Sequence, residues 1–452
     1  MPQLRESLID TVDGTVLHGA DIPAAYRTDR SGHLPDGSPD TVVQARSIDD
    51  VRRAVEYAGQ QGLSVVPRGA GTGLAAGAAA GSGTVVIDVS AMNRIVQISP
   101  DEELAVVEPG VFTADLDAAA TAVGLRYAPD PASAAISTIG GNIATNAGGL
   151  RCVKYGVTGD SVLGLRVVLA DGRVLDTGRR TAKGVAGLDL TSLFTGSEGT
   201  LGVIVGATVR LRPIPRHTVT VAAWFAGIEQ AAAATAQALA ARVRPAIMEL
   251  LDEPSLRHAQ DHLGVVAWGR SGAFVVAQTD GFGAAEEAEL LADTFRRSGA
   301  HVEVGADDAA AERLLAVRRA ALPALERLGR PLIEDIAVPR PRIADAARAV
   351  TTIAAEHRIP VFLFGHAGDG NLHPIIVVPH DDATAGRRAE AAADDIFSVA
   401  LDLGGTITGE HGIGILKRRW LTREVGEDSL EVQRAIRRAL DPQGLFNRGK
   451  VL

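Results

Sequence analysis

The stretch PRGAGTGLAAGAAAGSG, residues 67–83, follows directly on the β-branched run LSVV and limits the fold more than any other part of the chain. Glycine adopts positive φ readily, so such a loop can turn successive backbone N–H groups toward one anion. The bland alternative is a flexible surface loop. The structured rival is a dinucleotide-binding βαβ unit, which needs G-x-G-x-x-G opening a helix and an acid closing the next strand. Gly69 and Gly71 fit, and Asp88 closes TVVID, but the third glycine position holds Leu74. Gly77, Gly81 and Gly83 then leave no room for a stable crossover helix. A doubly wound nucleotide fold is rejected on these grounds.

The flanking sequence predicts an α+β domain. SIDDVRRAVEYAGQQG reads as a helix capped by Ser47, with an apolar stripe of Ile48, Val51, Val55 and Ala58 and a stop at Gly62. TVVIDVS, RIVQIS and LAVVEPG read as short strands, and GLRVVLADGRVLDT as a hairpin turning at Asp171-Gly172. The prolines Pro213 and Pro215 mark a boundary. Beyond it, strands and Ala-rich helices follow a β-α-β-β-α-β order, which predicts a ferredoxin-like antiparallel sheet with helices on one face. The expected organisation is an N-terminal segment (1–36), a first domain (37–215) and a second (216–452) whose last residues return to the first.

At 452 residues, two domains are the default. A net charge of -10 and an aromatic content of 4% argue against a nucleic-acid partner, which asks for positive charge and exposed rings. The single cysteine, Cys152, rules out an internal disulfide, an iron–sulfur cluster or a CxxC site. The N-terminus lacks the apolar core of a signal peptide, and no apolar run is long enough to span a bilayer. The expectation is a cytoplasmic protein, with peripheral attachment to a membrane left open.

Two further stretches share the character of the glycine loop: PDPASAAISTIGGNIATNAGG (129–149) and FTGSEGTLGVI (194–204). Both would suit a ligand approached closely by backbone and by neutral hydrogen-bonding side chains. With the first loop, they resemble the FAD-binding half of the vanillyl-alcohol-oxidase/PCMH superfamily of flavoenzymes. The likeness is to the branch of glycolate oxidase catalytic subunits, D-lactate dehydrogenases and D-2-hydroxyglutarate dehydrogenases, and it covers nearly the whole chain. It implies a PCMH-type domain of two α+β subdomains. It also implies that Arg68, Gly69, Gly71, Thr72, Gly73 and Gly77 hold the FAD pyrophosphate, and that Pro129, Ser133, Gly140, Gly141, Asn142, Thr145, Asn146 and Gly149 line the flavin. KYG, SEGTLGVI and the terminal FN add Tyr155, Gly156, Glu198, Gly202, Ile204 and Asn447. Thr72 and Gly73 stand where some members carry a flavin-linked histidine, so non-covalent FAD is expected.

GHAGDGNLHP (365–374) follows the apolar run PVFLF. A strand end and a tight turn can aim His366 and His373 into one cleft, and TGEHGIG offers Glu410 as a third ligand. A His/His/Glu set with open positions suits catalysis by zinc or another divalent ion. The bland alternative, that each histidine only hydrogen-bonds a loop, has the greater weight on the residues alone, because scattered ligand sets give many false matches. The resemblance shifts that weight. It implies that His366, His373 and Glu410 bind the metal (zinc first; manganese, iron or cobalt otherwise), that both histidines line the substrate, that His411 is the catalytic base and that Arg318 meets the substrate carboxylate. Sequence does not separate Arg318 from its neighbour Arg319.

The implied reaction is oxidation of a D-2-hydroxy acid to the 2-oxo acid, with His411 taking the hydroxyl proton and hydride passing to flavin N5. In hydroxyglutarate-type relatives the position of Ile333 holds a lysine for the distal carboxylate, and an asparagine stands at Ile375. The expected substrates are therefore of the D-lactate and glycolate type. D-2-hydroxyglutarate is the alternative, with Arg340 or Arg342 as the source of the missing charge. A non-catalytic flavin-holding subunit of an electron-transfer complex and an ether-lipid synthase are readings of other classes. The electron acceptor is open among quinone, an electron-transfer flavoprotein, an iron–sulfur partner, cytochrome and oxygen. A homodimer is allowed.

Overall fold

The computed structural model describes residues 8–181, 183–265, 272–305, 307–380, 382 and 384–452; the start of the N-terminal segment, residues 1–7, lies outside them. The chain divides into two compact units. The first comprises Met1–Gly148, Gly156–Ile214 and Glu410–Leu452, the second Gly149–Tyr155 and Pro215–Gly409.

The first unit holds two main sheets. The strands β1 (Thr15–His18), β2 (Thr41–Gln44), β3 (Ser64–Arg68) and β4 (Thr84–Asp88) form one in the order β1-β2-β4-β3. Its inner pairs, β2 with β4 and β3 with β4, are parallel, whereas β1 runs antiparallel to β2. The N-terminal segment thus supplies an edge strand. The helix Ile48–Gln61 links β2 to β3, and the Ser47 hydroxyl accepts from Asp50 N at 3.1 Å to cap it. Its stripe of Val51, Ala54, Val55 and Ala58 is fully buried against Val43, Val65, Val85 and Ile87. The second sheet is antiparallel, with β5 (Ile95–Ser99), β6 (Leu104–Val107), β8 (Val162–Val168), β9 (Val174–Asp176) and β10 (Val203–Arg210) in the order β5-β6-β10-β8-β9. A short pair joins β7 (Leu125–Arg126) to β11 (Arg212–Pro213).

The C-terminal segment is stitched into the first sheet. Val65 N donates to Leu445 O and Asn447 N donates to Val65 O, both at 2.8 Å, which makes residues 445–447 a short extension beside β3. The Asp441 carboxylate accepts from Leu445 N and Phe446 N, also at 2.8 Å, and so holds that turn. The Phe446 ring is fully buried with Val65 and Tyr57.

The second unit is built on one antiparallel sheet. The strands β12 (Thr218–Phe225), β13 (Ile247–Leu251), β14 (Ala273–Asp280) and β15 (His301–Val304) lie in the order β15-β12-β14-β13, the arrangement expected of a ferredoxin-like core. The sheet does not end there. It continues through β18 (Val361–His366), β19 (Asn371–Val378) and β16 (Arg330–Ile333), with β17 (Ile336–Ala337) also on β19. Nor are the helices confined to one face. Phe225 packs edge-on against Phe295 of the helix Ala284–Arg297 on one side. On the other, Trp224, Phe274, Phe362, Phe364 and Ile375 pack with Leu256, Leu314, Val317 and Leu325 of the helices Glu253–Leu263 and Asp308–Glu326. The physical reason is that the central strands are apolar on both faces, so each face needs a cover.

Phe446→Ala should destabilise the first unit by ~3–5 kcal/mol, the usual loss for a buried phenyl ring. Urea unfolding followed by circular dichroism measures it, and a loss under ~1 kcal/mol would show that the C-terminal stitch is not part of that core.

Candidate functional site

In the first unit the glycine loop is organised by two cations that bind its carbonyls. Arg68 ends β3 and donates from Nη1 to Thr28 O (2.8 Å) and Ala78 O (3.2 Å) and from Nη2 to Ala25 O (3.0 Å), with its guanidinium over the Tyr26 ring. Lys450 Nζ donates to Gly77 O (2.8 Å) and Ala79 O (2.7 Å). Gly71 has φ +71°, and a Cβ there would lie 2.1 Å from Arg68 Nη2, so only glycine fits beside the arginine. Among the described residues, no backbone N–H of residues 70–77 donates to a protein acceptor. That stretch contains Gly71, Thr72, Gly73 and Gly77. With carbonyls drawn toward cations and amides left over, the loop is an anion cradle of the kind a diphosphate occupies.

The other residues expected at the cofactor have several local duties. Thr138 caps the helix Ile139–Thr145, accepting from Gly141 N at 3.3 Å, and Thr145 returns a hydrogen bond to Gly141 O. Asn142 is buried and donates to Thr113 Oγ1 at 2.6 Å. Asn146 accepts from Gly159 N at 2.8 Å. Ser133 O receives Ile136 N and Ser137 N, and Pro129 is buried nearby in sequence. Gly140 packs on Pro109, Gly202 on Val167, Gly69 beside Thr138 and Gly156 beside Asp160. Ile204 lies in the second sheet's core. Gly149 and Tyr155 belong to the second unit, where the Tyr155 hydroxyl donates to Asp280 Oδ2 at 2.5 Å.

Glu198 has a duty that sequence did not suggest. Its carboxylate accepts from Ile413 N (2.7 Å) and Gly414 N (2.9 Å), and Ile415 N donates to Ala75 O at 2.9 Å. The segment directly after Glu410 and His411 is therefore pinned to Glu198 and to the glycine loop. Asn447 donates from Nδ2 to Glu198 O at 2.6 Å, while its Oδ1 is buried. Among the described residues, Asn447 Oδ1 and the buried hydroxyls of Tyr127 and Ser137 find no hydrogen-bond partner. Buried polar atoms left so are costly unless a ligand or water meets them. The bare amides of the glycine loop suit the phosphates of a polar cofactor. Tyr127 and Ser137 carried no sequence signal beyond their neighbourhood to the PDPAS and GGNIA stretches.

In the second unit the two histidines stand on one hairpin. The antiparallel register opposes His366 to Asn371 and Phe364 to His373, so all four share a sheet face. The imidazole centroids lie 5.1 Å apart at 88°. Gly370, with φ +98°, makes the turn, and a Cβ there would lie 2.2 Å from Val338 O. Both histidines are buried, and each has a fully buried carboxylate beside it. His366 Nδ1 meets Glu249 Oε1 at 2.6 Å, and His373 Nδ1 lies 3.7 Å from Asp335 Oδ1. Asp335 is held further by Asn371 Nδ2 (2.6 Å) and Thr408 Oγ1 (2.7 Å).

Arg318 and Arg319, inseparable by sequence, differ sharply. Arg319 is exposed and pairs with Glu312. Arg318 donates from Nε to Glu249 Oε2 at 2.7 Å and lies 4.6 Å over the Phe364 ring. Burial alone would raise the Glu249 carboxyl, but the charges and hydrogen bonds of His366 and Arg318 outweigh it and hold the group below the usual carboxylate range. Two imidazoles whose Nδ1 edges face carboxylates are a donor set suited to a divalent cation on the opposite edges. Glu410 and His411 belong to the first unit, 3.7 Å apart between Oε1 and Nε2. The chain reaches Glu410 directly from Gly409, which packs on Asn371.

An anion cradle in one unit, and paired buried imidazoles beside an arginine in the other, are features that suit a cofactor-dependent enzyme. The sequence matches the model of the FAD binding domain over residues 39–178 and that of FAD linked oxidases, C-terminal domain, over residues 214–451. The chain belongs to the FAD-linked oxidase family. It is 38% identical over 451 residues to the glycolate oxidase subunit GlcD of Bacillus subtilis (strain 168), covering 99% of this chain and 94% of that protein. It is 32% identical over 468 residues to a D-lactate dehydrogenase of Anaerostipes hadrus, covering 100% and 97%. Among solved structures, p-cresol methylhydroxylase with substrate bound aligns at TM-score 0.80 and 17% identity over 100% of this chain and 96% of that one, a likeness of fold. No helix among the described residues is long and apolar enough to cross a membrane.

Lys450 supplies a pH test of the cradle. Burial pushes its ammonium down to about 7 against the opposing pull of Asp29 and Glu198. The unfolded chain then binds more protons than the folded one from about pH 7 upward, toward the ordinary lysine value near 10. Stability of the cofactor-free protein should therefore rise with pH through that window from this group, and Lys450→Met should flatten the rise. Denaturant midpoints at pH 6.5 and 9 for both proteins check the sign.

Proposed function

We propose that this protein oxidises D-2-hydroxy monocarboxylates of the lactate and glycolate type to 2-oxo acids, with non-covalent FAD and a divalent metal. One observation carries the choice of substrate. Ile333 opposes Ile375 in the sheet register, two residues along from His373 on the same face, and both pack in the apolar core. An apolar pair there offers nothing to a second carboxylate. Arg342 is exposed and pairs with Asp345 at 2.7 Å, and Arg340 is exposed on the same turn. Arg318 shares Glu249 with His366 and so brings a cation beside the histidines, which suits a substrate carboxylate. The activities for which two relatives are named, glycolate oxidase and D-lactate dehydrogenase, agree with this reading.

His366, His373 and Glu410 would hold the metal, zinc being the first choice. When bound, the cation supplies acidification of the substrate hydroxyl and the FAD accepts the hydride equivalent. Arg318 binds the carboxylate through its terminal nitrogens, since Nε is engaged by Glu249. His411 removes the hydroxyl proton. The electrons pass to an external acceptor, because Cys152 alone cannot hold an iron–sulfur cluster. The subunit name of the relative points to a partner protein for that step.

Steady-state kcat/KM for D-lactate, glycolate and D-2-hydroxybutyrate should exceed that for D-2-hydroxyglutarate by about 100-fold, the scale set by burying a carboxylate without a partner. A preference for the dicarboxylate would refute the argument from Ile333. His411→Asn should slow flavin reduction by substrate roughly 10²–10⁴-fold, and near-normal stopped-flow bleaching would remove His411 from the proton transfer. Acid precipitation should leave the yellow colour in solution, and flavin that stays with the chain would contradict non-covalent binding.

A further inference from the structure

The strand β13 carries no motif, yet Glu249 on it is wholly buried and stands opposite His366 in the sheet register. Its two oxygens do different things. Oε1 meets His366 Nδ1 at 2.6 Å, and Oε2 accepts from Arg318 Nε at 2.7 Å. A carboxylate has no proton to give, so His366 must be the donor, and its Nδ1 must carry the hydrogen. In the neutral imidazole the lone pair is then on Nε2. The same carboxylate meets an edge of the Arg318 guanidinium, which lies over the Phe364 ring. Among the described residues, no acceptor meets the Arg318 terminal nitrogens.

We propose that Glu249 is a positioning residue that sets both the metal-ligating tautomer of His366 and the orientation of Arg318 toward the substrate carboxylate. This inference rests on the metal and substrate roles given above. One buried anion thereby ties the metal half of the site to the carboxylate half. Asp335 serves His373 in the same sense, but at 3.7 Å and with its oxygens already met by Asn371 and Thr408 it makes the weaker claim. Glutamine at 249 would keep the shape and one acceptor oxygen. Its NH2 would face either the imidazole N–H or the guanidinium N–H, so one of the two must turn away.

The test measures Zn²⁺ binding to metal-stripped, FAD-loaded protein by competition with a chromophoric chelator, alongside KM for D-lactate. His366→Ala is the control. Expected for Glu249→Gln are retained flavin, a Zn²⁺ affinity lower by ~10–100-fold, and a KM raised roughly tenfold as the arginine loses its bracing. If His366→Ala loses Zn²⁺ while Glu249→Gln binds as wild type, the role of Glu249 is overturned and the metal assignment stands. If His366→Ala also binds as wild type, the metal assignment falls and the inference with it. Wild-type protein gives an answer that does not depend on the variant folding. In the metal-free state, ¹⁵N-histidine NMR should show His366, assigned by the missing signal in His366→Ala, as the Nδ1–H tautomer with a downfield, slowly exchanging proton. An Nε2–H tautomer would overturn the proposal.

Discussion

The interior of the second unit is organised by buried acidic side chains that cannot be left alone. Glu249 and Asp335 are both fully buried, and an uncompensated charge at such a depth costs several kcal/mol. Each must be met by hydrogen-bond donors. Glu249 is met by His366 and Arg318, Asp335 by Asn371 and Thr408 with His373 close by. Satisfying the carboxylates therefore fixes the imidazoles and the guanidinium, and the reactive edges of those groups follow from what the buried edges are doing. The extension of the four-stranded core through β18, β19 and β16 has its meaning here. It places His366 against Glu249 across one strand pair and Ile333 against Ile375 across another.

The first unit solves the reverse problem. It must hold a segment whose amides are unsatisfied, and it does so by satisfying the carbonyls. Arg68 and Lys450 take the oxygens of residues 77–79, coming from β3 and from the last turn of the chain respectively. The parallel stitch of residues 445–447 onto Val65 puts Lys450 in reach. Glu198 then acts as a buried junction, holding Ile413 and Gly414 by its carboxylate and Asn447 by its carbonyl. The glycine loop, the segment after His411 and the C-terminus are thus one hydrogen-bonded assembly within this unit. A residue expected at the flavin on resemblance is, in the structure, a brace for the segment that carries the expected base.

Much of this was legible in the sequence, for local reasons. Leu74 in place of the third glycine, and Gly77, Gly81 and Gly83 after it, removed the dinucleotide fold, because the fingerprint is broken and so many glycines leave no stable crossover helix. Ser47, the 3.6-residue stripe and Gly62 set the first helix, because caps and periodicity act within a few residues. The split β-α-β-β-α-β order set the strand order of the second unit, since that connectivity has few right-handed solutions. The strand end at His366 and the glycine-rich turn before His373 allowed both imidazoles to be aimed into one cleft, because turn chemistry is short-range.

What only the tertiary structure decided lies at long sequence separation. Glu249 is 117 residues from His366 and 69 from Arg318, and nothing in its own strand marks it as more than a polar residue between apolar ones. Arg318 and Arg319 are adjacent in sequence, and only the packing of their helix on the sheet turns one inward to Glu249 and leaves the other with Glu312 in solvent. The second helical layer over the sheet, the N-terminal edge strand and the grip of Lys450 on the glycine loop were equally silent. Local sequence fixes backbone geometry because that energy is local. The partner of a buried charge is chosen by which strands and helices meet, and no short stretch of residues contains that information.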